Sequence, residues 1–164
     1  MQSYIGTKIV KLQPMTRAEY NDYRGWALPA DENGTDEGYL VEYTDGGAPN
    51  HANHDGYISW SPKAQADAAY RPVDGMSFGL AIEALKKGAR VARSGWNGKG
   101  MFLFLVAGSR FTVNRPPLLG IYPEGTVVDY HPHIDMKTAQ GYVVPWLASQ
   151  ADMLADDWLI VDPA

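Results

Sequence analysis

The chain contains no cysteine. That excludes disulfide frameworks, thiolate zinc sites and thiol nucleophiles, and it accords with a reducing cytoplasm. Long apolar runs are missing too. The segment MFLFLVA at 101–107 is of strand length, far short of the roughly 18 residues that a membrane span needs. The opening MQSYIGTKIVKLQ has no secretory apolar region, so neither a leader nor a membrane contact is expected. Positive charge is scarce: 14 Lys and Arg stand against 19 Asp and Glu, for a net charge of −5. A duplex nucleic-acid binder needs a basic footprint, so that class is disfavoured. A small ligand with one or two phosphates needs only a few local arginines and stays open. Catalytic signatures are lacking as well. There is no phosphate-binding G-x-x-x-x-G-K-[ST] loop and no G-x-G-x-x-G after a strand.

What remains is an ordinary globular composition. The 164 residues are 45% apolar, enough for one domain or two small ones with packed cores. Aromatics reach 12%, with ten Tyr and five Trp. Their main use is core and interface, but each also offers a pocket a flat apolar face with a polar edge.

Two units are legible. The first, 1–71, opens with a strand expected over 4–12. Thr16 and Glu19 form a capping box before a short helix carrying Tyr20 and Tyr23, which Gly25 ends. Strands are expected over 39–43 and 57–60. Between them Asp45, Gly46 and Gly47 mark a turn, and Asn50, His51, His54 and Asp55 read as a solvated loop. Ser61 is the expected N-cap of a second helix, with Pro62 at its first position. Residues 71–75, RPVDG, form the junction.

The second unit covers 76–164. Ser77 is the expected N-cap of a helix whose apolar face is Phe78, Ala81, Ile82 and Leu85, closed by Gly88. Strands follow over 90–93, 101–106 (buried, by its continuous apolar run), 111–113, 126–130, 134–137, 142–144 and 158–161. Residues 114–125 hold three prolines and two glycines and read as an ordered loop. Ser149 and Asp152 start a last short helix. Strands joined by short turns with few helices predict an α+β fold: a small antiparallel-sheet domain with short helices, preceded by a small α+β module.

Four groups of residues invite chemistry. The turn at 95–100, GWNGKG, lets backbone N–H groups approach an oxygen-rich ligand. Trp96 would stack on a base and Asn97 would read an edge or a hydroxyl; the alternative is a hairpin turn with a packing Trp. Arg90, Arg93, Arg110 and Arg115 offer forks that match phosphate oxygens, or else are ordinary surface charge. Beyond Tyr130, the residues His131, His133 and Asp135 alternate along an extended segment and so share a face. They suit a ligand loop, a structural polar cluster or, with help from elsewhere, a transition metal; Pro132 disturbs regular geometry there. A pair among Asp152, Asp156 and Asp157 would suit acid–base work; the alternatives are that Asp152 caps a helix start, where its charge suits the dipole, and that Asp156 and Asp157 hydrogen-bond a ribose hydroxyl.

These same residues carry a resemblance. MSFGLAIEALKKGARVARSGWNGKGMFLFLV, NRPPLLGIYPEG, HPHIDMKTAQG and VPWLASQADMLADDWLIV, in that order over about 76–161, resemble the phage and prophage family that includes the second type of Thoeris anti-defence protein. The resemblance implies a sponge in the host cytoplasm. Such a protein binds a cyclic ADP-ribose signal made by the host's TIR-domain enzyme and sequesters it uncleaved, with no cofactor. It implies a homo-oligomer, typically a tetramer, with pockets built across protomer contacts. Some members also hold cyclic di- or trinucleotides at separate sites. By motif position it points to Arg93, Trp96, Asn97, Asp156 and Asp157; Arg110, Arg115, Tyr130, His131, His133 and Asp135 complete the candidate ligand set. A metal-assisted hydrolase using His131, His133 and Asp135, and an interaction module without a small ligand, are the competing readings. Residues 1–71, with MTRAEYNDYRGW, DEGYLVEY and HDGYISWSPK, resemble a module found on other phage proteins and are expected to serve oligomerisation or interaction.

Overall fold

The computed structural model describes residues 1–96 and 100–161. The chain divides into two compact units, Met1–Arg71 and Pro72–Ala164.

The N-terminal unit is a three-stranded antiparallel sheet with two helices. Its elements are β1 (Val10–Pro14), α1 (Arg17–Arg24), β2 (Gly38–Tyr43), β3 (Tyr57–Pro62) and α2 (Lys63–Ala69), with sheet order β1-β2-β3. The capping box of α1 is complete: Thr16 Oγ1 accepts from the Glu19 N–H at 3.3 Å, and Glu19 Oε2 accepts from the Thr16 N–H at 2.7 Å. Gly25 ends the helix at φ 68°, a left-handed conformation that costs glycine nothing. Tyr20, Leu40 and Ile58 form the core, with Met15, Tyr23 and Trp60 packed around them.

Two expectations shift here. The first strand starts at Val10, because β2 offers it partners only from Tyr43 to Tyr39. Beyond that, the Ile9 N–H turns to the Asp45 side chain, 3.1 Å away. Ser61 remains in β3, paired with Tyr39, so Pro62 becomes the N-cap of α2, which has no side-chain cap.

The C-terminal unit comprises α3 (Phe78–Lys86), β4 (Arg90–Arg93), β5 (Phe102–Val106), β6 (Ser109–Thr112), β7 (Val127–Tyr130), β8 (His133–Lys137), β9 (Val143–Pro145), α4 (Gln150–Met153) and β10 (Trp158–Val161). Five strands make an antiparallel sheet in the order β10-β4-β5-β8-β9, and β6 pairs with β7 as a separate ribbon. The α+β antiparallel class read from the sequence is the fold observed. The apolar stripe of α3 packs on β4, β5 and β10. Met76, Ala81, Ala84, Leu85, Val91, Leu103 and Trp158 are the buried core. Ser77 occupies the N-cap of α3, although its hydroxyl makes no capping bond. The expected burial of the 101–106 run holds fully only for Leu103, at 0% exposed; Leu105, further along the same face of β5, is 39% exposed.

Trp158 closes this unit. It exchanges backbone hydrogen bonds with Met76 at 2.8 and 3.1 Å. Its indole is 0% exposed, with Phe78, Trp96 and Trp146 around it at centroid distances of 5.5, 5.6 and 6.0 Å. Its Nε1–H donates to the Asp152 carbonyl at 3.0 Å, so the buried indole leaves no polar group unpaired. Trp158→Ala is expected to cost about 3–5 kcal/mol by cavity formation. Urea unfolding of the purified chain measures it, and a loss under about 1 kcal/mol would remove Trp158 from the centre of the core.

Candidate functional site

The site is built where β4 ends. Trp158 pairs with Arg93 in the β10–β4 register, which brings Asp157 beside the turn that follows β4. Arg93 Nε donates to Asp157 Oδ1 at 2.7 Å, and its Nη1 donates to Asp152 Oδ1 at 2.9 Å. The second oxygen of Asp157 accepts from the Gly95 N–H at 2.8 Å and from the Ser94 hydroxyl at 3.3 Å. A Cβ on Gly95 would lie 2.8 Å from that oxygen, so glycine permits the close approach. The second oxygen of Asp152 takes the Ser149 hydroxyl at 2.7 Å and completes the capping box of α4. One arginine thus ties a turn, a strand and a helix start together.

The charges respond accordingly. The hydrogen bond from Arg93 holds the Asp157 carboxyl below its ordinary range, with help from the Gly95 N–H. Burial pushes the Asp152 carboxyl up, but hydrogen bonds from Ser149 and Arg93 outweigh it and leave the group lowered. The same bonds, Asp157 first, raise the Arg93 guanidinium.

Trp96 is half-buried and meets the Trp158 ring edge-to-face at 75°. Its Nε1 lies 3.5 Å from Asp152 Oδ1. The sequence left two roles open for it, and the packing role is realised. Asn97 lies outside the described residues. Asp156, next to the clamp, is exposed.

The other candidates fall elsewhere in this unit. Arg110 and Tyr130 belong to the β6–β7 ribbon, where Arg110 is 3.7 Å from Asp129 and the Phe111 and Tyr130 rings meet edge-to-face. Arg115 starts the turn after β6 and is exposed. His131 is exposed, and its carbonyl lies 3.1 Å from His133 Nδ1. His133 Nε2 is 3.7 Å from Asp135 Oδ1 on β8. Among the described residues, no group of three or more His, Cys, Asp or Glu is placed to hold a metal ion.

Sequence reasoning missed one cluster in the N-terminal unit. The loop read as solvated holds His54, whose Nδ1 is 3.3 Å from Glu42 Oε2 and whose Nε2 is 2.9 Å from the Tyr23 hydroxyl. Glu42 Oε1 accepts the N–H groups of Asp55 and Gly56 at 3.1 and 3.2 Å. His51 stacks on Tyr23 at 4.6 Å. The available signal was Glu42 itself, a carboxylate in the apolar strand YLVEY; on a buried face it must find donors.

Two comparisons bear on the C-terminal unit. Residues 76–161 match the family model described as a Thoeris anti-defense 2-like domain. Over 86 residues, which are 52% of this chain and 94% of the relative, the sequence is 45% identical to Thoeris anti-defense 2 of Bacillus phage SP01. The match leaves the N-terminal unit outside it.

The clamp makes a signed prediction. Lowered carboxyls contribute stability that is complete above their unfolded values, near 4, and is lost as pH falls through the folded ones. Arg93→Ala is therefore expected to cost about 2–3 kcal/mol at neutral pH and to flatten the acid limb below about pH 4. Thermal unfolding across a pH series checks both parts. Parallel curves for the two proteins would show that the clamp does not set these carboxyls.

Proposed function

We propose, since the chain belongs to the Thoeris anti-defense 2-like family, that it serves phage anti-defence as a non-enzymatic sponge. It binds a cyclic ADP-ribose-type signal, leaves the bonds intact and so starves the host effector of its activator. The observation that carries this reading is the family match, which spans the C-terminal unit almost end to end. Cyclic di- and trinucleotides are further ligands on this reading, held at separate sites. The place of action is the host cytoplasm; no helix among the described residues is long and apolar enough to cross a membrane.

The chemistry of the unit supports it. The ligand is flat at its base, rich in hydroxyls and doubly anionic. Trp96 supplies a stacking face. Arg93 keeps Nη2 outside its two carboxylate bonds, and Arg110 and Arg115 are exposed cations. Asn97, Asp156 and Asp157 meet polar edges, with Tyr130, His131, His133 and Asp135 as a second polar group. Sequestration asks for slow release from a formed pocket and needs no poised general base.

The active form on this reading is a homo-oligomer, a tetramer, with pockets shared between copies. Supporting it, Tyr142, Leu147 and Leu154 of the C-terminal unit are 70%, 92% and 81% exposed. One exposed apolar side chain is ordinary; several within a short stretch suit an interface.

The test is direct. Protein incubated with cyclic ADP-ribose is desalted and heat-denatured, and the released material is analysed. Intact ligand is expected; a hydrolysed product would make the protein an enzyme, and no retained ligand would leave an interaction module. Arg115→Ala, at an exposed position, is expected to change stability by under about 0.5 kcal/mol and to weaken retention about tenfold. Equal retention would take Arg115 out of the ligand set.

A further inference from the structure

The N-terminal unit ends on one side in a strand that is open to pairing. β1 has β2 beside it and, among the described residues, no strand paired on its outer side. The inward bonds show which residues face which way. The Thr44 N–H donates to the Ile9 carbonyl at 3.3 Å, and the Met15 N–H donates to the Gly38 carbonyl at 3.0 Å. By antiparallel alternation, Lys11 and Gln13 also turn their backbone groups toward β2. Val10, Leu12 and Pro14 therefore turn theirs outward, so the edge offers two N–H groups and three carbonyls.

Edge strands are commonly guarded by bulges and by free lysines. The register from Val10↔Tyr43 to Pro14↔Tyr39 runs without a bulge. Both nearby lysines are drawn back onto the strand's own unit: Lys8 lies 3.4 Å from Asp45, and Lys11 lies 3.8 Å from Glu42. The apolar surface continues to this edge as well. Residues opposite one another share a face, so Leu12 lies beside Val41. Val41 is 1% exposed and Leu12 37%. The strip that Val41 begins stops at Leu12 with nothing beyond it in the sheet.

We propose that β1 pairs antiparallel with β1 of a second copy of this chain, with Leu12 opposite the partner's Leu12, to form a six-stranded sheet. This contact belongs to the N-terminal unit and does not depend on what the C-terminal unit binds. The strand is self-complementary in this register. Lys11 faces the partner's Gln13 and Val10 faces the partner's Pro14, so no like charges meet. Leu12 exchanges both backbone bonds with its counterpart, and the Val10 N–H reaches the partner's Pro14 carbonyl. Pro14, which has no N–H, falls at the end of the ladder, where proline is tolerated. The two Leu12 side chains join the Val41 strips of the two copies.

Native mass spectrometry of the full chain tests this with charge reversal. Leu12→Lys and Leu12→Glu each place like charges face to face, and each is expected to halve the number of copies per particle. Mixing the two in equal amounts is expected to restore the mass of the unaltered protein, which a mere folding defect would not do. A second test uses the absence of cysteine. Lys11→Cys mixed with Gln13→Cys is expected to give a disulfide-linked pair on mild oxidation, whereas neither gives one alone, because those two positions face each other across the proposed seam. Unaltered protein with the same mass as Leu12→Lys, a mixture that stays dissociated, or the absence of the mixed disulfide would overturn the proposal. Nucleotide retention is expected to survive in all four variants, because the shared pockets of the ligand reading belong to C-terminal units, whose contacts these substitutions leave intact; its loss would bear on that reading and leave this one standing.

Discussion

The C-terminal unit is organised around one guanidinium held between two carboxylates. Arg93 stands at the end of β4, Asp152 in the first turn of α4 and Asp157 just before β10, so two carboxylates 59 and 64 positions further along the chain meet at one cation. Asp157 is followed directly by Trp158, the most enclosed aromatic of the unit. The ion pair and the indole therefore position each other: seating Trp158 in the core brings Asp157 to Arg93, and the pair fixes where β10 begins. Arg suits this role better than Lys, because its planar fork satisfies both partners at once from fixed positions. The turn after β4 inherits that rigidity through the Gly95 N–H and the Ser94 hydroxyl, both donated to Asp157.

Local chemistry was the most legible part of the sequence. The Thr16–Glu19 and Ser149–Asp152 boxes, the Gly25 stop and the α3 stripe are short-range patterns whose partners lie within a few residues, and all four are present. Strand limits were less legible, because pairing sets them. β1 starts where β2 has a partner to give, and β3 runs on through Ser61 because Tyr39 opposes it. The roles of isolated polar residues were least legible. His54 looked like loop decoration until Glu42 and Tyr23, 12 and 31 positions away, closed on its two nitrogens. Arg93, Asp152 and Asp157 were all visible as candidates. Their mutual contact was not, since it depends on the β10–β4 register across more than sixty residues.

The mutual engagement of those three residues changes the electrostatic argument for a bound nucleotide. From the sequence, Arg93 was a cation for phosphate; in the fold, two of its nitrogens already serve carboxylates. Asp156 adds a further exposed negative charge next to the clamp. Among the described residues beside the clamp, a doubly anionic ligand stacked on Trp96 of one chain would thus meet three carboxylates and the remaining amino group of Arg93. Coulomb repulsion at contact distances is worth several times the thermal energy once water is partly excluded. Further cations near Trp96 would therefore favour the capture of such a ligand. Arg110 and Arg115 are exposed, and among the described residues the ion pair they form is the loose 3.7 Å approach of Arg110 to Asp129. Whether they come from the same chain or from a neighbouring copy, the clamp makes ligand binding depend on groups outside it. A pocket completed by another copy meets that need and at the same time covers the apolar surface around α4. On the proposed reading, then, assembly and capture are linked: among the described residues of one chain, more carboxylates than cations stand beside the Trp96 ring.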